Sequence, residues 1–165
     1  MMLESDTTCL VLLGLLAWGL ACAVQDARHG RLSNWLTLGL GAAAIGYLLL
    51  TGESFIGATP GAVTLGLLVA VALSLPGYVM GKMGAGDVKL LAALALSSSP
   101  YHLLGTVAVA ALVTLLWALL GPLCWRRLPA PAQRQLPLMA PANRDRLPYA
   151  PFFFCGLLAS ILYLY

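Results

Sequence analysis

Six apolar runs make up most of this chain, and their lengths limit what it can fold into. A helix crosses a bilayer in about 20 apolar residues, with a range of roughly 17–25. Five of the runs reach that range. The fourth is short, and at about 1.5 Å per residue it covers only about half a bilayer. The runs lie at about 8–25, 35–51, 59–80, 88–98, 101–121 and 149–165.

The composition excludes a water-soluble domain of this size. Of the 165 residues, 61% are hydrophobic and 9% are charged. Soluble domains carry roughly 25% charged residues. We therefore predict an all-α integral membrane protein, a six-helix transmembrane bundle with one short span, which forms a single domain over residues 1–165. The net charge of +3 is too small to indicate binding to nucleic acid.

The basic residues indicate the orientation of the spans. With six spans, all nine lie on one side of the membrane, and the opposite loops at 51–58 and 97–101 contain none. With five spans, the last five arginines would move to the other side. Because basic residues favour the cytoplasmic side, we predict six spans, both termini outside and a Pro- and Arg-rich cytoplasmic loop at 122–148. The nine residues are Arg28, Arg31, Lys82, Lys89, Arg126, Arg127, Arg134, Arg144 and Arg146.

Two aspartates follow apolar runs within short polar segments. Asp26 comes directly after the first run, and Asp87 comes directly after the third in the sequence GAGD. Two whole spans separate them, so the predicted topology returns both to one leaflet, where they could meet. A carboxylate at a bilayer boundary is costly, and it indicates a functional site.

Each aspartate also has a purely structural interpretation. Asp87 is typical of a residue that caps the N-terminus of a helix, where its charge is favourable. Asp26 could belong to an ordinary interfacial turn with Arg28 and Arg31, whose charges signal topology.

Together the two carboxylates support acid–base chemistry. Two like charges within a few ångströms of each other separate their pKa values, so that one is ionised while the other holds a proton. The ionised carboxylate can activate water, and the protonated one can polarise a peptide carbonyl. No serine or cysteine lies beside a plausible base, and no metal-ligand cluster competes. We therefore predict an aspartyl peptidase with no metal and no cofactor.

Three motifs resemble the type IV prepilin peptidase family. They are DARHGRLSNWLT at Asp26–Thr37, GAGDVK at Gly84–Lys89 and PYAPFFFCG at Pro148–Gly156. The resemblance implies a bundle of membrane helices with Asp26 and Asp87 as the catalytic pair. It also implies a prepilin or pseudopilin substrate in the lipid bilayer, whose short basic leader is cut at the cytoplasmic face of the bacterial inner membrane.

Other residues of these motifs are expected to shape the site. Gly84 and Gly86 are expected to shape substrate access, and Asn34 is expected to begin a helix. Lys89 either holds its loop against lipid headgroups or lowers the pKa of the aspartate pair.

The chain departs from the family pattern in two ways. Many relatives have proline where this chain has Ser33, but the following Asn34 is retained. Long members carry an N-terminal region with paired cysteines that is linked to N-methylation of the mature pilin. This sequence begins at the first span, so it resembles the short form associated with tight-adherence (Flp) pili, and we expect no methyltransferase activity.

Three other functions fit the sequence less well. The main alternative is a non-catalytic membrane component of a pilus or secretion assembly. A small proton-coupled transporter would place its carboxylates near the membrane midplane. A presenilin-like protease would also carry the GxGD sequence, but the first motif and the basic loops favour prepilin processing.

Overall fold

The computed structural model describes residues 2–127, 129, 133, 136–140 and 147–164, with side chains from residue 8 onward except that of Pro137. Its α-helices are α1 (Met2–His29), α2 (Asn34–Thr51), α3 (Pro60–Val79), α4 (Ala85–Ser97), α5 (Pro100–Arg127) and α6 (Ala150–Leu164), and a short 3-10 helix spans Pro137–Met139. The described residues contain no strand. The prediction of an all-α membrane bundle with six helices is confirmed.

Four of these helices are long and apolar enough to cross a bilayer: Thr8–His29 within α1, together with α2, α3 and α5. The predicted short fourth helix has 13 residues. Helix α6, with 15 residues, is also shorter than its apolar run. Among the described residues, α4 buries Leu90, Leu91 and Leu94 almost completely. The short α4 is therefore enclosed by other helices, which explains how it can belong to the bundle without spanning it.

Two helices extend past the apolar runs that predict them. Helix α1 continues to His29 and places Asp26 inside its last turn, so the interpretation of Asp26 as part of an interfacial turn is wrong. It ends at His29, and the next residue, Gly30, has a φ of 62°. Helix α5 continues to Arg127 through Pro122, although the loop was predicted to begin at residue 122. Basic residues in a last turn are favourable because the C-terminus of a helix carries partial negative charge.

Twelve of the 27 residues of the predicted loop at 122–148 lie outside the described residues. Arg134, Arg144 and Arg146 are among those outside.

The helices pack mainly in two groups of three. Helix α6 lies against α1 and α5, whereas α4 lies against α2 and α3. Between the groups, α5 contacts α3 and α4, and the indole N–H of Trp18 on α1 donates to the carbonyl of Leu36 on α2 at 2.8 Å. The core joins both groups, since it includes Leu90 and Leu94 of α4 with Phe153 of α6. Asp26 thus belongs to one group and Asp87 to the other.

Among the glycines that the structure describes, Gly156 on α6 has the closest neighbours from another helix. A Cβ there would collide with the carbonyl oxygen of Thr106 on α5 and would lie 3.0 Å from the main-chain nitrogen of Ala110. Only glycine allows two backbones to approach so closely. This contact fixes the position of α6, whose first residue reaches the candidate site.

Candidate active site

The carboxylate of Asp26 is held by the start of the last helix. Its side chain is 5% exposed. The main-chain N–H of Ala150 donates to its Oδ2 at 3.0 Å. Unpaired N–H groups at a helix N-terminus form a natural site for an anion. The first and third sequence motifs therefore meet through this carboxylate.

Asp87 is the third residue of α4, and Gly84 is the residue that caps the helix. The Oδ2 of Asp87 accepts a hydrogen bond from the main-chain N–H of Gly84 at 3.0 Å. Asp87 thus caps the helix as predicted, because its side chain satisfies an N–H donor at the helix start. The N-cap position itself is occupied by Gly84, three residues earlier. The side chain of Asp87 also faces the cavities described below.

The two glycines of GAGD lie in close contacts. A Cβ on Gly84 would lie 3.3 Å from the Oδ2 of Asp87. A Cβ on Gly86 would lie 3.2 Å from the Cβ of Leu32, in the loop between α1 and α2. Gly84 thus leaves room for the capping carboxylate, and Gly86 allows α4 to pack against the first motif.

A side-chain hydrogen bond joins the first two motifs. The Nζ of Lys89 on α4 donates to the Oδ1 of Asn34, the first residue of α2, at 2.9 Å. The partner of Lys89 in this bond is Asn34 and not an aspartate. In this structure Lys89 therefore orients the start of α2 against α4.

Ser33 explains why the chain can depart from the family's proline. Its main-chain N–H donates to the Oε1 of Gln25 at 2.9 Å, a bond that proline cannot make. Its hydroxyl accepts from the N–H of Trp35 and caps α2. Because Gln25 precedes Asp26, Ser33 ties the loop to the end of α1.

Two cavities meet at the aspartates. The larger has a volume of about 630 Å³ and the smaller of about 320 Å³. Volumes of this size are typical of ligand pockets. Both cavities are lined by Asp26, Gly30, Arg31, Gly84 and Asp87.

The larger cavity extends toward α5 and α6, and the smaller toward the start of α2. Thr114, Leu138, Tyr149 and Phe152 are among the residues that line the larger one. Leu32, Asn34, Gly86 and Lys89 line the smaller one. Residues that the sequence predicts for the site therefore lie beside the two aspartates at the smaller cavity. The sequence did not indicate the residues at the larger cavity, which are Thr114, Leu138, Tyr149 and Phe152.

The environment of Asp87 suits proton transfer. Its pKa is raised to about 6, mainly by burial and also by the charge of Asp26, against the hydrogen bond from Gly84, which lowers it. Burial also raises the pKa of Tyr149 to about 12, with a contribution from the charge of Asp87. A carboxyl group with a pKa near neutrality can hold a proton at working pH and release it.

Tyr149 and Ala150 were not predicted as individual site residues. They lie in the PYAPFFFCG motif, which was noted only as a family signature. The signal that could have found them is the position of a helix start directly after a polar loop. Such a start presents free N–H groups on the predicted aspartate side of the membrane.

His102 on α5 lines neither cavity. It is buried, and its Nδ1 lies 3.0 Å from the hydroxyl of Ser160, which links α5 to α6. Among the described residues, no group of three or more His, Cys, Asp or Glu side chains could hold a metal ion.

A family model described as the type IV leader peptidase family matches residues 13–119, which is more than half of the chain and includes both aspartates. The chain belongs to the type IV leader peptidase family. No curated protein and no solved structure matches it at a significant level. Membership confirms the resemblance and makes this chain a prepilin-type leader peptidase, in a family of aspartic proteases. The hydrogen bond from Ala150 lies outside the matched residues, so the structure adds the last helix to the site of this leader peptidase.

Proposed function

We propose that this protein is a membrane aspartyl endopeptidase that removes the short basic leader from type IV prepilins, of the Flp type, at the cytoplasmic membrane face. Asp26 and Asp87 are its catalytic residues. The observation that carries the proposal is the presence of both carboxylates on the walls of the same two cavities. They come from helices of different groups, and family membership supplies the substrate class.

The pair can hydrolyse a peptide bond with balanced proton transfers. The ionised carboxylate takes a proton from water as the water oxygen bonds to the carbonyl carbon, and the protonated carboxyl gives its proton to the carbonyl oxygen. In the second step, the group that took a proton from water gives that proton to the leaving nitrogen as the C–N bond breaks. The group that gave its proton to the carbonyl oxygen then takes a proton back from a hydroxyl of the intermediate. This restores the starting protonation of both groups.

The charge distribution supports a cytoplasmic active site in the inner membrane. Among the described residues, Arg28 and Arg31 flank the end of α1, and Lys82 and Lys89 flank Asp87. Helix α5 ends in Arg126 and Arg127. Basic residues are enriched on the cytoplasmic side of membrane proteins. With both aspartates on that side, the termini are outside.

The proposal covers cleavage alone. The cysteines are Cys9, Cys22, Cys124 and Cys155, all of them free, and no two of them form a CxxC pair. We therefore expect the mature pilin to leave this enzyme unmethylated.

The test is cleavage of an Flp-type prepilin in isolated membranes at matched protein abundance. Wild type and the control Glu53→Gln, an exposed carboxyl in the loop between α2 and α3, are expected to release the leader. Asp26→Asn and Asp87→Asn are expected to leave the precursor intact. Normal cleavage by either aspartate variant would contradict the proposal. If pilin assembly failed while cleavage continued in both variants, a non-catalytic assembly component would be the better description.

A further inference from the structure

We propose that Trp18 is a positioning residue for the two aspartates. Its indole hydrogen bond holds α1 against α2 and thereby sets the separation of Asp26 and Asp87. This inference rests on the proposed function and deepens it, because it names a residue that controls the geometry of the pair without lining either cavity. The contacts that link the helices of the two aspartates carry it.

Trp18 joins helices from both groups of the bundle. Its Nε1–H donates to the main-chain carbonyl oxygen of Leu36 on α2 at 2.8 Å. Its ring lies edge-on to Phe153 of α6, with 6.0 Å between the ring centroids, and it packs against the buried core. An indole N–H in an apolar interior needs an acceptor. The acceptor here belongs to the helix group that carries Asp87.

Trp18 and Asp26 lie on one uninterrupted helix, α1. At about 1.5 Å per residue, they are about 12 Å apart along its axis. Cys22 lies between them and is fully buried. At the end of the helix, the main-chain N–H of Ala150 holds the carboxylate of Asp26. A shift of α1 at Trp18 is therefore carried along a continuous helix to Asp26.

Helix α2 continues the link to the helix of Asp87. Its first residue, Asn34, accepts a hydrogen bond from the Nζ of Lys89 at 2.9 Å, and Lys89 follows Asp87 closely on α4. Two hydrogen bonds thus connect α1 to α4 through α2. Among the described residues, α1 packs far more extensively against α6 than against α2 or α4. These bonds therefore have little competition from side-chain packing between the same helices.

The contact between Leu32 and Gly86 acts differently from these hydrogen bonds. It brings the loop between α1 and α2 against the start of α4. A steric contact stops two segments from approaching further, but the attraction between a few atoms is too weak to hold them together. The Trp18 hydrogen bond resists separation. The two contacts together define one distance between the helices that carry the aspartates.

The separation of the two carboxylates controls their chemistry. The charge of Asp26 contributes to the raised pKa of Asp87, and this interaction weakens with distance. Two coupled carboxyl groups titrate as a pair, and a stronger interaction separates the two apparent pKa values of the pair. Cleavage that needs one ionised and one protonated carboxyl is fastest between those values, so its pH profile is bell-shaped. If α1 and α4 move apart, the bell becomes narrower.

The other ionisable groups around the pair are unchanged by a substitution at Trp18. Those that line the two cavities are His29 of α1, Arg31 of the α1–α2 loop, Lys82 of the α3–α4 loop, Lys89 of α4 and Tyr149 before α6.

The test measures kcat, KM and the pH profile of prepilin cleavage by the whole protein in lipid nanodiscs. Trp18→Phe removes the N–H and keeps an aromatic ring, and benzothienylalanine at position 18 removes the N–H but keeps the bicyclic shape. A displacement of about 1 Å can cost about 100-fold in rate, so the smaller shift expected here should lower kcat by about 10-fold. KM should stay within about twofold, because Trp18 lines neither cavity. Both proteins should show a narrower pH profile.

The matched control is Trp35→Phe. It makes the same change on α2, where the side chain of Trp35 is 89% exposed, and it should behave as wild type. A double variant tests the role of α2 as one bridge. If breaking either link releases α2, then Trp18→Phe/Lys89→Met should be about as slow as the slower single variant.

Three results would overturn the inference. Both Trp18 proteins could keep the kcat and pH profile of wild type, they could lose thermal stability while the profile stays unchanged, or the loss in the double variant could equal the product of the single losses. Gel filtration establishes that each protein is folded, and if Trp18→Phe is not, the benzothienylalanine protein decides. A wild type that cleaves, with Trp18 proteins that match it, is a failure of this inference alone. A wild type that does not cleave overturns the proposed function and this inference with it.

Discussion

The main-chain N–H of Ala150 lies 3.0 Å from the carboxylate of Asp26, although 124 positions separate the two residues in the chain. This hydrogen bond ties the last helix to the end of the first. It has two consequences: the position of α6 controls the orientation of Asp26, and any change that moves α6 should affect catalysis from a distance.

Gly156→Ala should therefore reduce both stability and cleavage. The added Cβ would collide with the carbonyl oxygen of Thr106, and overpacking of this kind costs about 1–3 kcal/mol. The free energy of unfolding in detergent should fall by an amount at the upper end of that range, because a backbone atom cannot move aside. The matched control is Gly14→Ala on α1, where a Cβ meets nothing within 4 Å. Equal stability of the two variants would show that α5 and α6 do not pack as described.

Gly86→Val should impair cleavage far more than it impairs folding. The new side chain would press on Leu32 and move the first turn of α4, which carries Asp87. A displacement of about 1 Å can cost a catalytic site about 100-fold in rate. Leu32→Ala keeps its Cβ but removes Cδ1 and Cγ, which lie 3.5 and 3.7 Å from a Cβ at position 86, so the double variant Gly86→Val/Leu32→Ala should recover part of the activity. A double variant no faster than Gly86→Val would argue against this contact.

The hydrogen bond between Lys89 and Asn34 can be measured with a double-mutant cycle. Lys89→Met and Asn34→Leu should each lower the unfolding free energy by about 1 kcal/mol, as expected for a single hydrogen bond that is exposed to solvent. If the two residues are partners, the double variant should lose less than the sum of the two single losses, by at least about 0.5 kcal/mol. Strict additivity would mean that Lys89 acts elsewhere, for example on lipid headgroups.

The raised pKa of Asp87 predicts how stability depends on pH. Its pKa rises from the ordinary 3.8 to about 6, so between these values the folded protein binds more protons than the unfolded chain. The stabilising contribution of protonated Asp87 to the free energy of unfolding is fully present below pH 3.8. It is lost as the pH rises through about 6. The thermal unfolding midpoint of wild type should accordingly fall across this window, and that of Asp87→Asn should fall less. Identical slopes would contradict a raised pKa at this position.

The helices could be predicted from the sequence because the bilayer imposes a simple rule. Backbone polar groups in hydrocarbon must bond within the segment, so each long apolar run becomes a helix. The ends were harder to predict. Helix α1 continues through Arg28 and His29 until Gly30 adopts a left-handed conformation, and polar residues near an interface carry no clear stop signal.

The candidate site was only partly predictable for a related reason. Topology alone brought Asp26 and Asp87 to one leaflet. The hydrogen bond from Ala150 to Asp26 depends on how α6 packs against α1, and that packing depends on Gly156. A contact between residues so distant in sequence leaves no local pattern. The same holds for Lys89 and Asn34, whose hydrogen bond depends on how α2 packs against α4.

The central claim is that Asp26 and Asp87 act as one catalytic unit, and the most direct measurement is a kinetic cycle with purified protein and prepilin. Asp26→Asn and Asp87→Asn should each slow cleavage by about 100- to 10,000-fold, the usual contribution of a general acid or base. Residues that act as a unit are strongly non-additive, so the double variant should be no slower than the slower single variant. A double variant whose loss equals the product of the two single losses would show that the aspartates act independently.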